Sequence, residues 1–103
     1  MLIDDDKLRG KKVLTANGRH IGELVAIEIE MEAWQIQWVD VKLLRDVLDE
    51  LKVKKPLFGT QTARIAPRHV KSVSDAILLA LDMDQTSTLL HATDANDGVE
   101  LRK

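Results

Sequence analysis

The sequence predicts a mainly β domain with one short amphipathic helix and a C-terminal tail. Three observations carry this expectation. Asn17-Gly18 stands between two apolar runs, which is a strong short-range signal for a hairpin. From Val25 to Glu32 apolar and polar residues alternate strictly, the period of a strand with one wet face. Between Lys42 and Lys52 the period lengthens: Leu43, Leu44, Val47, Leu48 and Leu51 recur at helical spacing.

The totals bound the rest. A chain of 103 residues has room for one core, and 45% apolar residues are enough to build it. Net charge is -2, so the basic excess that usually drives phosphate binding is missing and nucleic acid is disfavoured as a partner. There is no cysteine, which excludes disulfides, thiolate catalysis and cysteine-held zinc or iron–sulfur groups. The longest apolar run, Ile77 to Leu81, is too short to insert across a membrane. The opening MLIDDDKLRG has neither the basic end nor the apolar stretch of a signal peptide, so a cytoplasmic location is expected.

In chain order, residues 1–6 read as an arm, 7–83 as the domain and 84–103 as a tail that is flexible or pairs at an edge. Asp4, Asp5 and Asp6 form a solvated charge run rather than a cation cage, which would need about six oxygens. Lys12 to Ala16 is the first strand. A second enters through Ile21-Gly22-Glu23-Leu24 and continues with Val25, Ile27, Ile29 and Met31 on one face. Ala26, Glu28, Glu30 and Glu32 take the other face. Residues 32–33 turn. Trp34 to Val41 is a third strand, with Trp34 and Trp38 either stacked in the core or forming a binding face. The helix follows over Lys42 to Lys52, with Asp40 as its N-cap and Lys42–Asp46 and Arg45–Asp49 spaced to pair. Lys54 to Gly59 is a loop carrying Leu57 and Phe58. Thr60 to Ala66, His69 to Val73 and Ile77 to Leu81 are strands, the last two joined by a Ser74-Asp75 turn. In the tail, Leu89-Leu90 is an apolar pair, 94–98 is turn-like and Val99-Glu100-Leu101 is a candidate edge strand.

No catalytic constellation emerges. Gly18 and Gly22, with Arg19 and His20 between them, lead into a strand. A phosphate loop or dinucleotide fingerprint needs a helix there to receive the anion. Gly18 therefore fits a turn and Gly22 a bulge or a close backbone approach. His20, His69 and His91 lie in three separate segments and make no ligand set. Glu28, Glu30 and Glu32 point outward and lack the burial that tunes a catalytic acid. Asp82, Asp84 and Asp97 lack the spacing of a calcium loop.

The run Leu8-Arg9-Gly10-Lys11-Lys12-Val13, followed by Asn17-Gly18-Arg19-His20-Ile21-Gly22, resembles the opening of a PRC-barrel domain. Leu51 to Leu57 is similar to the helix and loop of the family's archaeal stand-alone branch, and His69 to Leu79 resembles its closing hairpin. The likeness covers about residues 7–83. It departs at Ser74-Asp75, where Gly-Asp is usual, and at Ala66, which intervenes before Pro67. The resemblance implies a small, strongly bent antiparallel β-barrel of six strands and one helix, without enzymatic activity, cofactor or metal. It implies a protein–protein adaptor, in archaeal cell division with a SepF-like partner, or alternatively a RimM-like role in ribosome maturation with a ribosomal protein. Partner contacts are expected at Trp34, Trp38, Leu57, Phe58, Leu89 and Leu90, and a homodimer is a further expectation.

Overall fold

A computed structural model describes residues 2–92 and 97–102. Seven strands form one mixed sheet: β1 (Lys12–Leu14), β2 (His20–Glu30), β3 (Gln35–Leu43), β4 (Thr62–Ile65), β5 (Val70–Val73), β6 (Ile77–Leu79) and β7 (Val99–Arg102). Their order is β5-β6-β1-β2-β3-β4-β7. Three short helices accompany them: α1 (Asp5–Leu8), α2 (Arg45–Leu48) and α3 (Met83–Leu90). All neighbours are antiparallel except β1 and β6, where Val13 pairs with Ile77 in parallel. The expected closed barrel is corrected on this point: the sheet bends around its core but does not close, and β5 and β7 are its two edges.

The first hairpin forms as its residues dictate. Gly18 donates to the Thr15 carbonyl and Thr15 N–H to the Arg19 carbonyl, with Gly18 at φ 87°. This is a tight turn followed by a left-handed residue, a place that glycine fills without steric cost. The buried Thr15 hydroxyl braces it by donating to Asn17 Oδ1 and accepting from Arg19 N–H. Gly22 serves a different need. A Cβ there would stand 2.2 Å from the Lys42 carbonyl oxygen, so β2 and β3 can approach only with glycine at this point.

Bulges control which face each residue of β2 takes. Register shifts between Leu24 and Ala26, and between Glu28 and Ile29, interrupt the pairing of β2 with β3. Leu24 is buried and Val25 is exposed, so the simple alternation breaks at Val25. A bulge adds one residue and thereby moves every later side chain to the other face. Glu28 stays on the face opposite Ile27, as the alternation predicts, but that face is not open to water: Arg64 lies against Glu28 and leaves it half-buried.

The expected helix over Lys42 to Lys52 shrinks to Arg45–Leu48. Val39, Val41 and Leu43 are all buried at period two, and β3 continues to Leu43 with Lys42 paired to Thr62. Two flanking strands supply ladder bonds that a single helical turn cannot match, since the first turn fixes several residues for one hydrogen bond. Asp40 therefore lies inside β3 and caps nothing; Leu44 occupies the N-cap without a side-chain bond. Asp49 pairs with Lys55 at 3.0 Å, and Arg45 donates to the Pro56 carbonyl. Val47, Leu48 and Leu51 still close one end of the core.

The segment expected as a tail holds regular structure. Asp82 and Gln85 form a reciprocal capping box at the start of α3. Ser87 Oγ donates to the Leu51 carbonyl, and the His91 ring bonds the same oxygen at 2.8 Å. Strand β7 pairs with β4, Val99 opposite Ile65. The part of the expected turn formed by Asp94, Ala95 and Asn96 lies outside the described residues.

Candidate interaction site

Beyond Leu24, the β2 residues Val25–Glu30 have β3 as their sole strand partner among the described residues, and β4 meets β3 only from Val39 onward. The distal halves of β2 and β3 thus project as a two-stranded ribbon with free main-chain edges. Ile29 and Ile36 pair across it and remain 50% and 46% exposed, where a folded domain would normally cover such side chains. On this face the ribbon borders an apolar groove of about 280 Å³. It is lined by Ile27, Ile36 and Val39 of β2 and β3, by Val70, Val73 and Ile77 of β5 and β6, and by Ile3 and Leu8 from the N-terminal segment. Pro67 shapes the floor by starting a 3-10 turn, Pro67–His69, that turns the chain from β4 toward β5.

The opposite face of the sheet carries charge. Asp40 is fully buried, yet neither of its carboxyl oxygens accepts a hydrogen bond from a described residue. Arg102 Nη1 stands 3.3 Å from it. Arg64 forks onto both oxygens of Glu28 at 2.8 Å, reaches Glu100 at 2.9 Å and lies 4.7 Å above the Trp38 ring. Burial pushes the Asp40 carboxyl up to about 6, and the neighbouring Glu28 carboxylate adds to this against the pull of Arg102 and Arg64. For Glu28, burial alone would raise the carboxyl, but the influence of Asp40 and Arg64 outweighs it and holds it below the ordinary value. Two facing carboxylates can only accept; they bond to each other once one holds a proton. Burial first, and the facing Glu28 second, keep that proton on Asp40 against the two guanidiniums. Asp40 is sealed from solvent and lines none of the described grooves, so it clamps β3, β4 and β7 rather than meeting a substrate.

The residues singled out by sequence fall in four places. Trp34 sits at the ribbon tip, 73% exposed and left-handed at φ 54°. Trp38 lies half-buried beneath Arg64 on the charged face. Leu57 and Phe58 stand out of their loop, 92% and 89% exposed. Leu89 and Leu90 turn inward and pack on the core. Conversely, sequence reasoning places the groove walls only as strand residues. Their signal is the number of aliphatics on β2, β3 and β5 relative to the few elements that could cover them.

Several basic residues are already committed. Arg19 pairs with Glu50, Arg64 with Glu28 and Glu100, and Lys55 with Asp49, while Lys11 donates to the Ser74 carbonyl. Each histidine ring bonds a backbone carbonyl: His20 that of Gly22, His69 that of Asp97 and His91 that of Leu51. Among the described residues no group of His, Cys, Asp or Glu is placed to hold a metal, and no helix is long and apolar enough to cross a membrane.

An open, bent sheet with an apolar groove on one face and a charged cluster on the other defines a small β module. The family model for the PRC-barrel domain matches residues 2–81, and the chain belongs to that family. PRC-barrel domains are generic, non-catalytic β modules that often take part in protein–protein contacts. No curated protein matches the chain.

Proposed function

We propose that the chain is a non-enzymatic adaptor that takes up an extended apolar segment of a partner protein in its groove and along the ribbon. The observation that carries this reading is the continuity of exposed Ile29 and Ile36 with the groove wall at Ile27 and Val39. Unpaired main chain on the ribbon edges favours an added strand, and apolar pockets beside it favour alternate apolar side chains. Within the family, the reading we favour is a cell-division adaptor of the archaeal stand-alone kind, engaging a SepF-like protein. A RimM-like part in ribosome maturation is the weaker reading, because the ion pairs of Arg19, Arg64 and Lys55 consume charge that RNA would need.

Crosslinking and affinity capture from the native cell, with the wild type and an Ile3→Asp, Ile36→Asp variant, test it. A protein retained by the wild type and lost from the variant is the expected outcome. Capture that ignores the substitutions, or steeply salt-dependent retention on RNA, would refute it.

A further inference from the structure

Apart from Leu2 in the N-terminal arm, the most exposed large apolar side chains stand at the ribbon tip and in the Leu57-Phe58 loop, at opposite ends of one strand. Strand β3 runs from Gln35, beside the tip, to Leu43, whose N–H donates to the Gln61 carbonyl at the foot of the loop. Nine strand residues span about 30 Å, most of the molecule's 35 Å longest extent.

The two ends carry opposite charge. Glu30 and Glu32 flank Met31 at the tip, with Trp34 beside them, and the chain has no lysine or arginine from residue 20 to residue 41. Arg68 lines a hollow that also includes Glu30, Ala33 and Gln35. At the other end Lys52, Lys54 and Lys55 precede Leu57 and Phe58, and Arg45 is tied to the Pro56 carbonyl. Asp49 and Lys55 pair with each other there and Glu50 pairs with Arg19, which leaves Lys52 and Lys54 to set the sign of this rim. Each end therefore pairs a protruding apolar centre with a charged rim, and the rims are complementary. That is the anatomy of an interface whose core gives affinity and whose rim gives orientation.

We propose that copies of this chain associate head to tail, the acidic ribbon tip of one meeting the basic Leu57-Phe58 loop of the next. The two surfaces differ and lie at opposite ends, so the contact is heterologous and does not close at two subunits; it propagates along the β3 direction. The groove is left open to its own partner.

Sedimentation velocity over a wide range of concentrations, at low and high salt, tests this. The expected wild-type mass rises past the dimer with concentration and falls back at high salt. Two charge reversals sharpen the test: Glu30→Lys with Glu32→Lys at the tip, and Lys54→Glu with Lys55→Glu at the loop. Each variant alone is expected to be a folded monomer by sedimentation and circular dichroism. An equal mixture is expected to regain association, because every tip then meets a loop of opposite sign. If the tip variant misfolds, Glu32→Lys at its exposed turn position, mixed with Lys54→Glu, carries the same expectation. A wild-type monomer at every concentration would overturn the proposal, including one whose loop binds anionic lipid vesicles instead. So would a closed dimer indifferent to both reversals, or folded variants whose mixture stays monomeric. An Ile3→Asp variant, altered only in the groove lining, is expected to associate normally, which separates this contact from groove binding.

Discussion

Replacing Asp40 by asparagine should stabilise the protein at neutral pH and remove a pH dependence. Asp40 holds its proton to about pH 6 in the folded chain, against an ordinary value of 3.8. An acid that binds its proton more tightly when folded contributes stability in full below the ordinary value and loses it as pH rises through the folded value. The gap between 3.8 and about 6 corresponds to about 3 kcal/mol. Asp40 is fully buried, so bulk solvent screens little of this. Glu28 acts in the opposite sense. Its carboxyl is held below 4.5, so its contribution is present above that value and lost as pH falls beneath it. The wild type should therefore be most stable near pH 5, between the two limits, and weaker at pH 7.5. The Asp40→Asn side chain keeps the shape and donates permanently to Glu28, as protonated Asp40 does. Urea unfolding followed by the fluorescence of Trp38, which lies beneath Arg64, measures the effect. With a slope of about 1.5 kcal/mol per molar, the variant midpoint at pH 7.5 should exceed the wild type's by up to about 2 M, and the difference should be about halved at pH 5 and shrink further toward pH 4. Comparing the two proteins at each pH cancels the histidines common to both. A variant less stable than the wild type at pH 7.5, or a difference that does not change with pH, would refute the reasoning.

Three further substitutions probe other parts of the structure. Trp34→Gly removes a bulky left-handed residue, a conformation that costs about 1–2 kcal/mol, while glycine costs about 0.5–1 in the unfolded chain; the midpoint should hold or rise slightly as self-association falls, and a loss above ~2 kcal/mol would show that Trp34 is packed. Gly22→Ala drives a methyl into the Lys42 carbonyl oxygen and should lower stability by about 2 kcal/mol or more in a denaturant titration. Asp82→Ala breaks the capping box of α3 and should cost about 1 kcal/mol, with faster amide exchange confined to residues 83–90.

The fold was legible wherever a local signal agreed with its neighbours. Asn17-Gly18 specified a hairpin, and Gly22 marked a close approach that the Lys42 carbonyl explains. It was illegible where a distant strand overrode local spacing. Leu43 reads as helical beside Val47, but its pairing with Gly22 of β2 and its bond to the Gln61 carbonyl claim it for a strand. The bulge after Leu24 is equally silent in sequence; without it Glu28 would share the buried face of Leu24 instead of meeting Arg64 on the other. Helix α3 did have a signal, Asp82 and Gln85 at capping-box spacing with Leu89 and Leu90 in its final turn, masked by the small polar residues between them. Of the candidate site, the exposed ends were visible in Trp34, Leu57 and Phe58. The groove was not, because a wall built from Ile27, Val70 and Ile77 looks the same in sequence as a core.

The same bulges that hid the site also make it. A strand with unbroken alternation would have placed Leu24, Ala26 and Glu28 on one face and left the sheet no room for both a sealed carboxylate and an open apolar groove. The extra residue in β2, Val25, rotates the side chains beyond it, so that Ile27 faces the groove while Glu28 joins Asp40 on the far side. The charged face then clamps β7 to β4 through Arg64 and Glu100, and β7 to β3 through Arg102 and Asp40. With that side fastened, the ribbon beyond Val39 need not be covered by the domain itself. An exposed Ile29–Ile36 pair tends to promote association, and it remains because stability is supplied elsewhere in the sheet.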